Sequence, residues 1–259
     1  HKMSKSLGNS IDPKEILDKF GAEPFRLWSA LEGNLEKQDF RCSFDRIEGE
    51  GKTLTKLWNV ARFISLFGPV PTKKPKLTEI DEWVINEINT ISIEADKQYG
   101  KYDFHNPAVK LRHFVWETFA SHYLELVKSR AYNQKGDFTK GEQEAAIWTL
   151  HYCLDKVLVL FAPIIPFITS KLYKDLHNKD IHEESFPKTE KKKELPFTTE
   201  DIVNANAVVW KFKKDSQKSL KDPVTEVIIP EKLKGITKDY QIMHSIQKIK
   251  FGDELKVKQ

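Results

Sequence analysis

Apolar side chains recur at spacings of three and four along most of this chain, and proline, glycine and polar clusters separate the runs. From Asp45 to Phe67 the repeat comprises Ile47, Leu54, Leu57, Trp58, Ala61, Ile64 and Leu66. That is an amphipathic helix, with Trp58 expected in the core beside Leu54 and Leu57. Three longer patterns follow. Residues 78–99 place Ile80, Trp83, Val84, Ile88, Ile91 and Ala95 on one face. Residues 106–132 do the same with Leu111, Phe114, Val115, Phe119, Tyr123, Leu126 and Val127, with Asn106 as cap and Pro107 in the first turn. Residues 139–161 carry Ala146, Ile147, Leu150, Cys153, Leu154, Val157 and Leu160 up to Pro163. Shorter helices are predicted at "IDPKEILDKFG", capped by Asp12 with Pro13 at its first position and Gly21 at its end. Others are expected at "AEPFRLWSALEG", from Pro166, and over residues 198–220.

Two stretches interrupt the pattern. "GPVPTKKPK" holds three prolines, a glycine and three lysines in nine residues and reads as a linker. Residues 180–197, with "KTEKKKE", read as a solvated loop. Past Leu220 the character changes. "PVTEVIIP" reads as a strand, "EKLKGITKDYQIMHSIQ" as a helix, and "KIKFGDELKVK" as a strand pair or one bent strand. Long helices joined by short turns pack antiparallel. The expected fold is therefore mainly α, an antiparallel helix bundle with a small C-terminal α+β appendage. The expected divisions are residues 1–42, 43–197 and 198–259.

Composition narrows the class. Apolar residues are 39% of 259, ample for a core, and 42 basic against 38 acidic residues leave a net charge of only +4. Binding to a polyanion would therefore rest on local clusters. Two distant cysteines, Cys42 and Cys153, suggest neither a disulfide framework nor a zinc site. The longest apolar run, "VLVLFAPIIPFI", is too short to span a bilayer and holds two prolines. No signal peptide is expected. The histidines show no HxxxH or HExxH spacing, so no metal site is expected.

The chain opens on "HKMSKSLGNSIDP", without an initiator methionine, which reads as a loop cut from a larger protein. Two lysines and two serines within five residues suit a polyphosphate, the ammoniums as mobile charges and the hydroxyls as neutral donors. Where pyrophosphate departs, losing one such donor typically costs about 3–4 kcal/mol. For a polar stretch of this kind with no further match, a disordered, charged terminus is the usual reading.

"KMSKS" matches in full the second signature of class I aminoacyl-tRNA synthetases, and "LGN" then "DP" follow as in the isoleucine, leucine, valine and methionine group. "GAEPFRLWSALEGN" resembles the next helix of these enzymes; Glu23-Pro24 departs from the usual phrase and Arg26 is kept. "QDFRCSFDRIEGEGKTLTKLWNVARF", "WETFASHYLELVKSRAY", "FAPIIPFITSKLY" and "IHEESFP" resemble the valyl enzymes, and the closing module resembles the archaeal type. The resemblance covers the whole chain, from the signature loop through the anticodon-binding domain. It implies a family that joins valine to tRNA with ATP and Mg2+, in a cytoplasmic and monomeric enzyme without membrane contact. Lys2 and Lys5 would be catalytic, and Lys2, Met3, Ser4, Lys5 and Ser6 would bind ATP. No "HIGH"-type segment, Rossmann strand or editing domain is present. Those domains would be partners within the same protein, and this segment alone is expected to be inactive and to bind no cofactor. The equivalent part of an isoleucyl enzyme and a non-catalytic helical RNA-binding module remain alternatives.

An anticodon loop is read by stacking on aromatics or guanidinium planes and by hydrogen bonds to base edges. In "KTLTKLWNVARF", Lys52, Lys56 and Asn59 lie near one another across turns, and Arg62 and Phe63 extend the set. Arg46 and Arg41 are nearby cations. The other reading is a core helix with a solvated face. For Lys128, Arg130 and Lys135, stabilisation of a helix C-terminus, worth about 0.3–1 kcal/mol each, is favoured over RNA contact.

Overall fold

The helices start where a side-chain oxygen can take a free backbone N–H. The computed structural model describes residues 4–7, 11–34 and 42–258, Lys5 by its backbone alone. Asp12 accepts the Lys14 N–H at 2.9 Å and opens α1 (Pro13–Phe20), which Gly21 ends before α2 (Ala22–Glu32). Ser43 precedes α3 (Phe44–Ser65). Reciprocal capping boxes open α4 (Glu79–Tyr99) with Thr78 and Asp81, α7 (Lys140–Phe161) with Thr139 and Glu142, and α9 (Thr199–Asp215) with Thr198 and Asp201.

The predicted helix over 106–132 is one rod with three windings: α5 (His105–His113), a π-helical segment (Phe114–Leu124) and α6 (Glu125–Tyr132). Its cap is not Asn106. Asp103 takes the Asn106 N–H at 3.1 Å and its side-chain amide at 2.6 Å, so the helix begins a residue earlier. In the wide-wound segment residues five apart lie over one another. Phe114 and Phe119 stack with centroids 5.6 Å apart, and Phe119 stacks on Tyr123 at 6.0 Å. Ser121 donates to the Trp116 carbonyl at 2.7 Å, the same five-residue step.

α8 (Pro166–His177) follows the turn after α7, and α2 clamps that turn. Arg26 donates to the carbonyls of Ile164 and Pro163 at 2.8 and 3.2 Å. Glu23 accepts the N–H groups of Phe167 and Ile168 at 3.2 and 3.0 Å, capping α8 from outside its own sequence.

Residues 180–197 are a largely exposed loop, as expected, but one anchored to the bundle at several points. After a single 3-10 turn (Ile181–Glu183) the segment is a strap tied to the bundle. Asn86 exchanges two hydrogen bonds with the Lys193 backbone at 2.8 and 3.0 Å, and Lys156 donates to the Lys188 carbonyl at 2.7 Å. Ile181 and Phe197 are buried at its ends, and Phe186 packs edge-on against Tyr99. Its lysines and acidic residues face water between these anchors.

α9 ends at Asp215, short of the predicted Leu220. Beyond it, β1 (Val224–Ile229), a 3-10 segment (Glu231–Ile236), α10 (Thr237–His244), β2 (Ile246–Phe251) and β3 (Lys256–Lys258) close the chain. β2 and β3 do not pair with each other. β1 lies between them, parallel to β2 (Val224 opposite Ile246) and antiparallel to β3 (Val227 opposite Val257).

One hydrophobic cluster runs from Leu27 and Leu57 through Val84, Leu111, Phe119, Leu150 and Val157 to Val209, Val227 and Tyr240. The buried side chains of the closing sheet thus join the core of the bundle. A smaller cluster of Ile16, Trp28 and Ile47 holds α1 and α2 on α3. Arg130 lies in the last turn of α6, as a helix-end cation would, but it is fully buried and its guanidinium is committed to carboxylates. It forms a two-pronged bond to Asp81 at 2.6 and 2.9 Å and an ion pair with Asp239 of α10 at 3.0 Å. Tyr123 donates to the same Asp81 at 2.7 Å. Trp58 is a second correction. At 39% exposed it lies at the margin of the buried arc, which Leu57, Val60, Ala61 and Ile64 define.

Candidate nucleic-acid interface

The exposed face of α3 carries the predicted set. Lys52, Asn59 and Arg62 are exposed, and no side-chain partner holds their polar heads among the described residues. Lys56 is half-buried, with its ammonium 4.0 Å from the centroid of Trp116 on the π-helical segment. Burial lowers the Lys56 pKa, opposed by Glu117 and Glu125. Trp116 is itself fixed by its indole N–H, which donates to Thr53 at 3.0 Å. The wide winding of the rod therefore sets how closely an aromatic plane approaches α3.

Phe63 belongs to a three-ring cluster. It meets Phe67 at 5.1 Å and Tyr132 at 5.8 Å, and Phe67 meets Tyr132 at 5.0 Å, all edge-on. Tyr132 is 38% exposed, and Lys128 holds its ammonium 5.8 Å from the Phe63 ring. One end of the face thus offers aromatic surface and the rest offers uncommitted donors. This is the composition that suits unstacked bases with a phosphate chain between them.

Arg46 is not brought into this group. It pairs with Glu32 of α2 at 2.6 Å, and at 1.5 Å per residue it lies about 20 Å along the helix from Asn59. Trp116, Phe67 and Tyr132 are missing from the predicted set, because helical spacing sees only neighbours on one helix. The available signal was an aromatic next to an acid in "VWET" and at a helix end in "RAYN".

Of the opening loop, Lys2 and Met3 lie outside the described residues, as does Arg41, and Lys5 is described by its backbone alone. Ser4 and Ser6 hydroxyls are 2.8 Å apart across one 3-10 turn (Lys5–Leu7), and the Leu7 N–H donates to Ser4 Oγ at 3.2 Å. Two neighbouring serine hydroxyls are groups that can bond phosphate oxygens. No group of three or more His, Cys, Asp or Glu placed to hold a metal ion occurs among the described residues.

A helical bundle whose exposed helix presents aromatic rings beside unpaired donors invites comparison with RNA-reading domains. The chain belongs to the family of anticodon-binding domains of tRNA ligases, whose family model matches residues 81–229, and residues 1–41 match the class I tRNA synthetases (I, L, M and V). Among curated proteins it is similar to the valine--tRNA ligases of Aeropyrum pernix, 38% identical over 93% of this chain, and Pyrobaculum aerophilum, 37% identical over 96%. The chain spans 30% and 31% of the lengths of these two relatives. Among solved structures, the ternary complex of Agrobacterium radiobacter K84 agnB2 LeuRS with tRNA and LeuAMS shares the fold, with a TM-score of 0.53 at 16% identity, covering 86% of this chain and 29% of that one.

Proposed function

We propose that this chain is the tRNA-reading part of a valine--tRNA ligase, and that the exposed face of α3 reads the anticodon loop. The observation that carries this is the set of uncommitted donors, Lys52, Asn59 and Arg62, beside the Phe63–Phe67–Tyr132 rings, in a chain of this family. Asn59 can bond an adenine edge at two points, Arg62 can hold a phosphate or stack, and Phe63 can stack on a base. Trp116 keeps the Lys56 ammonium beside the face. In the whole enzyme, ATP would supply the activated phosphate to which valine is joined before transfer to tRNA, with Mg2+ arriving on its phosphates. Lys2 and Lys5 would meet those phosphates, with Met3, Ser4 and Ser6 shaping the loop. The amino-acid pocket would lie in catalytic and editing domains of the same protein, and the enzyme is read as a cytoplasmic monomer. No described helix is long and apolar enough to cross a membrane.

The test is binding of this chain to valine and isoleucine tRNA transcripts at two salt concentrations, beside an Asn59→Ala/Arg62→Ala variant. Preference for the valine transcript, with a loss of about tenfold or more in the variant, is expected from one or two lost base contacts. Weak, equal binding that salt abolishes and the variant does not change would mean phosphate attraction alone.

A further inference from the structure

Beside the aromatic cluster lies an open groove of about 930 Å³, walled by residues 71–78 on one side and the start of α7 on the other, with Phe67 at its edge. That volume is within the range of small-ligand clefts. Its charges are unevenly matched. Glu142 accepts from Thr139 and from Lys238 at 2.9 Å, and Glu144 lies 3.8 Å from Lys140. Lys74 pairs with Glu190 of the strap at 2.5 Å. Lys73 and Lys76 are exposed and have no acidic partner among the described residues. Thr78 and Thr139, the N-caps of α4 and α7, line the same space. The groove therefore favours an anion, and Phe67 gives it one aromatic wall continuous with Phe63 and Tyr132.

We propose that this groove seats one unstacked nucleotide of the RNA that engages α3, with its base against Phe67 and its phosphate on Lys73 and Lys76. The inference rests on the α3 reading and extends it, because the two surfaces share the Phe63–Phe67 edge. A nucleotide held there would lie next to the bases that α3 reads. It would anchor the loop without naming a sequence, since neither lysine nor phenylalanine distinguishes bases.

The experiment compares an RNA stem closed by an anticodon loop with a blunt duplex of equal length. Both are titrated with the unaltered chain, with Lys73→Ala/Lys76→Ala and with Phe67→Leu, across a salt series. The lysine variant should bind the stem-loop more weakly, with the slope of log affinity against log salt reduced by about 0.7 for the one single-strand phosphate contact. Its duplex binding should be unchanged. Phe67→Leu should weaken stem-loop binding at least about fivefold with the salt slope kept. Both lysines are exposed, so the first variant should keep the parent's thermal midpoint even if the second does not. Equal losses on both RNAs would overturn the proposal in favour of general phosphate attraction. Unchanged stem-loop binding in the lysine variant, while Asn59→Ala/Arg62→Ala weakens it, would overturn the groove alone. No binding of either RNA by the unaltered chain would overturn the α3 reading and the groove with it.

Discussion

Arg130 shows how much a single side chain can organise. Its guanidinium joins Asp81 on α4, Asp239 on α10 and, through Asp81, Tyr123 on the rod, all of them buried. Removing the arginine leaves two carboxylates without their cation in a water-free interior. Arg130→Met should destabilise the chain by about 3–5 kcal/mol in urea unfolding, the usual result of breaking a buried pair from one side. A loss under about 1 kcal/mol would mean that the carboxylates find other partners. A second buried site makes stability depend on pH. Asn206 donates to His122 Nδ1 and accepts from His244 Nε2, both at 2.9 Å. Burial lowers both rings; the Lys213 ammonium and His122 add to it at His244, which falls to about 3, while Glu117 opposes it at His122. Below the ordinary histidine value of 6.5 the unfolded chain therefore binds protons that the folded chain refuses, and stability falls with pH. Each ring contributes a slope of up to about 1.4 kcal/mol per pH unit. Asp239 acts in the opposite sense. Burial raises it to about 6 against the pull of Arg130, so from there down to its ordinary 3.8 the folded chain takes up the extra proton. Two rings against one carboxyl leave a net loss on acidification. His244→Gln should flatten the dependence of the urea midpoint on pH below neutrality, and an unchanged slope would remove His244 from the account.

At the scale of elements, helices were legible in the sequence wherever a run of apolar spacing met a Thr, Ser or Asp with an acid three residues on. Thr78, Thr139 and Thr198 mark their helices to within a residue. What the sequence hid depends on contacts between distant residues. The π winding goes with the Trp116–Thr53 bond to α3 and the Phe114–Phe119 stack, and no local spacing announces it. The order of the closing strands, with β1 in the middle, is likewise set by pairing across a helix. The exposed face of α3 was legible from one phrase, whereas its aromatic partners Trp116 and Tyr132 come from another helix. The strap was legible as an exposed loop but its anchors were not: one asparagine on α4 satisfies both backbone groups of Lys193. Asn86→Ala strands those groups, which typically costs about 1–3 kcal/mol when they stay buried. The expected result is faster tryptic cleavage within "EKKKE" at a rate that global stability does not account for. Cleavage no faster than in the parent would mean that Lys156 and Phe186 alone hold the strap.

For the molecule as a whole, the question is whether residues past 197 are an appendage or part of the bundle. A change of composition suggests the former, and the packing argues the latter. Ile202, Ala205 and Val209 of α9 share one buried cluster with Val224, Val227, Leu233 and Tyr240. Tyr240 donates to the Ala205 carbonyl at 2.7 Å, His244 bonds Asn206, and the buried Lys213 ammonium caps α10 through the His244 carbonyl at 2.8 Å. Asp239 completes the charge around Arg130 at the centre of the bundle. A chain ended at Asp222 would lose all of these at once. It would leave Arg130 with one carboxylate and expose the apolar face of α9. Such losses are comparable with the whole stability of a domain, about 5–15 kcal/mol. The truncated chain should therefore keep much of its far-ultraviolet helix signal and lose its cooperative thermal transition and its near-ultraviolet signal. A sharp transition near the parent's midpoint would instead establish the closing sheet as an independent module. The face of α3 could then be studied without it. If the transition is lost, any variant of α10 becomes a variant of the RNA-reading bundle, because Arg130 carries a disturbance at Asp239 to the helix that presents Lys128 and Tyr132.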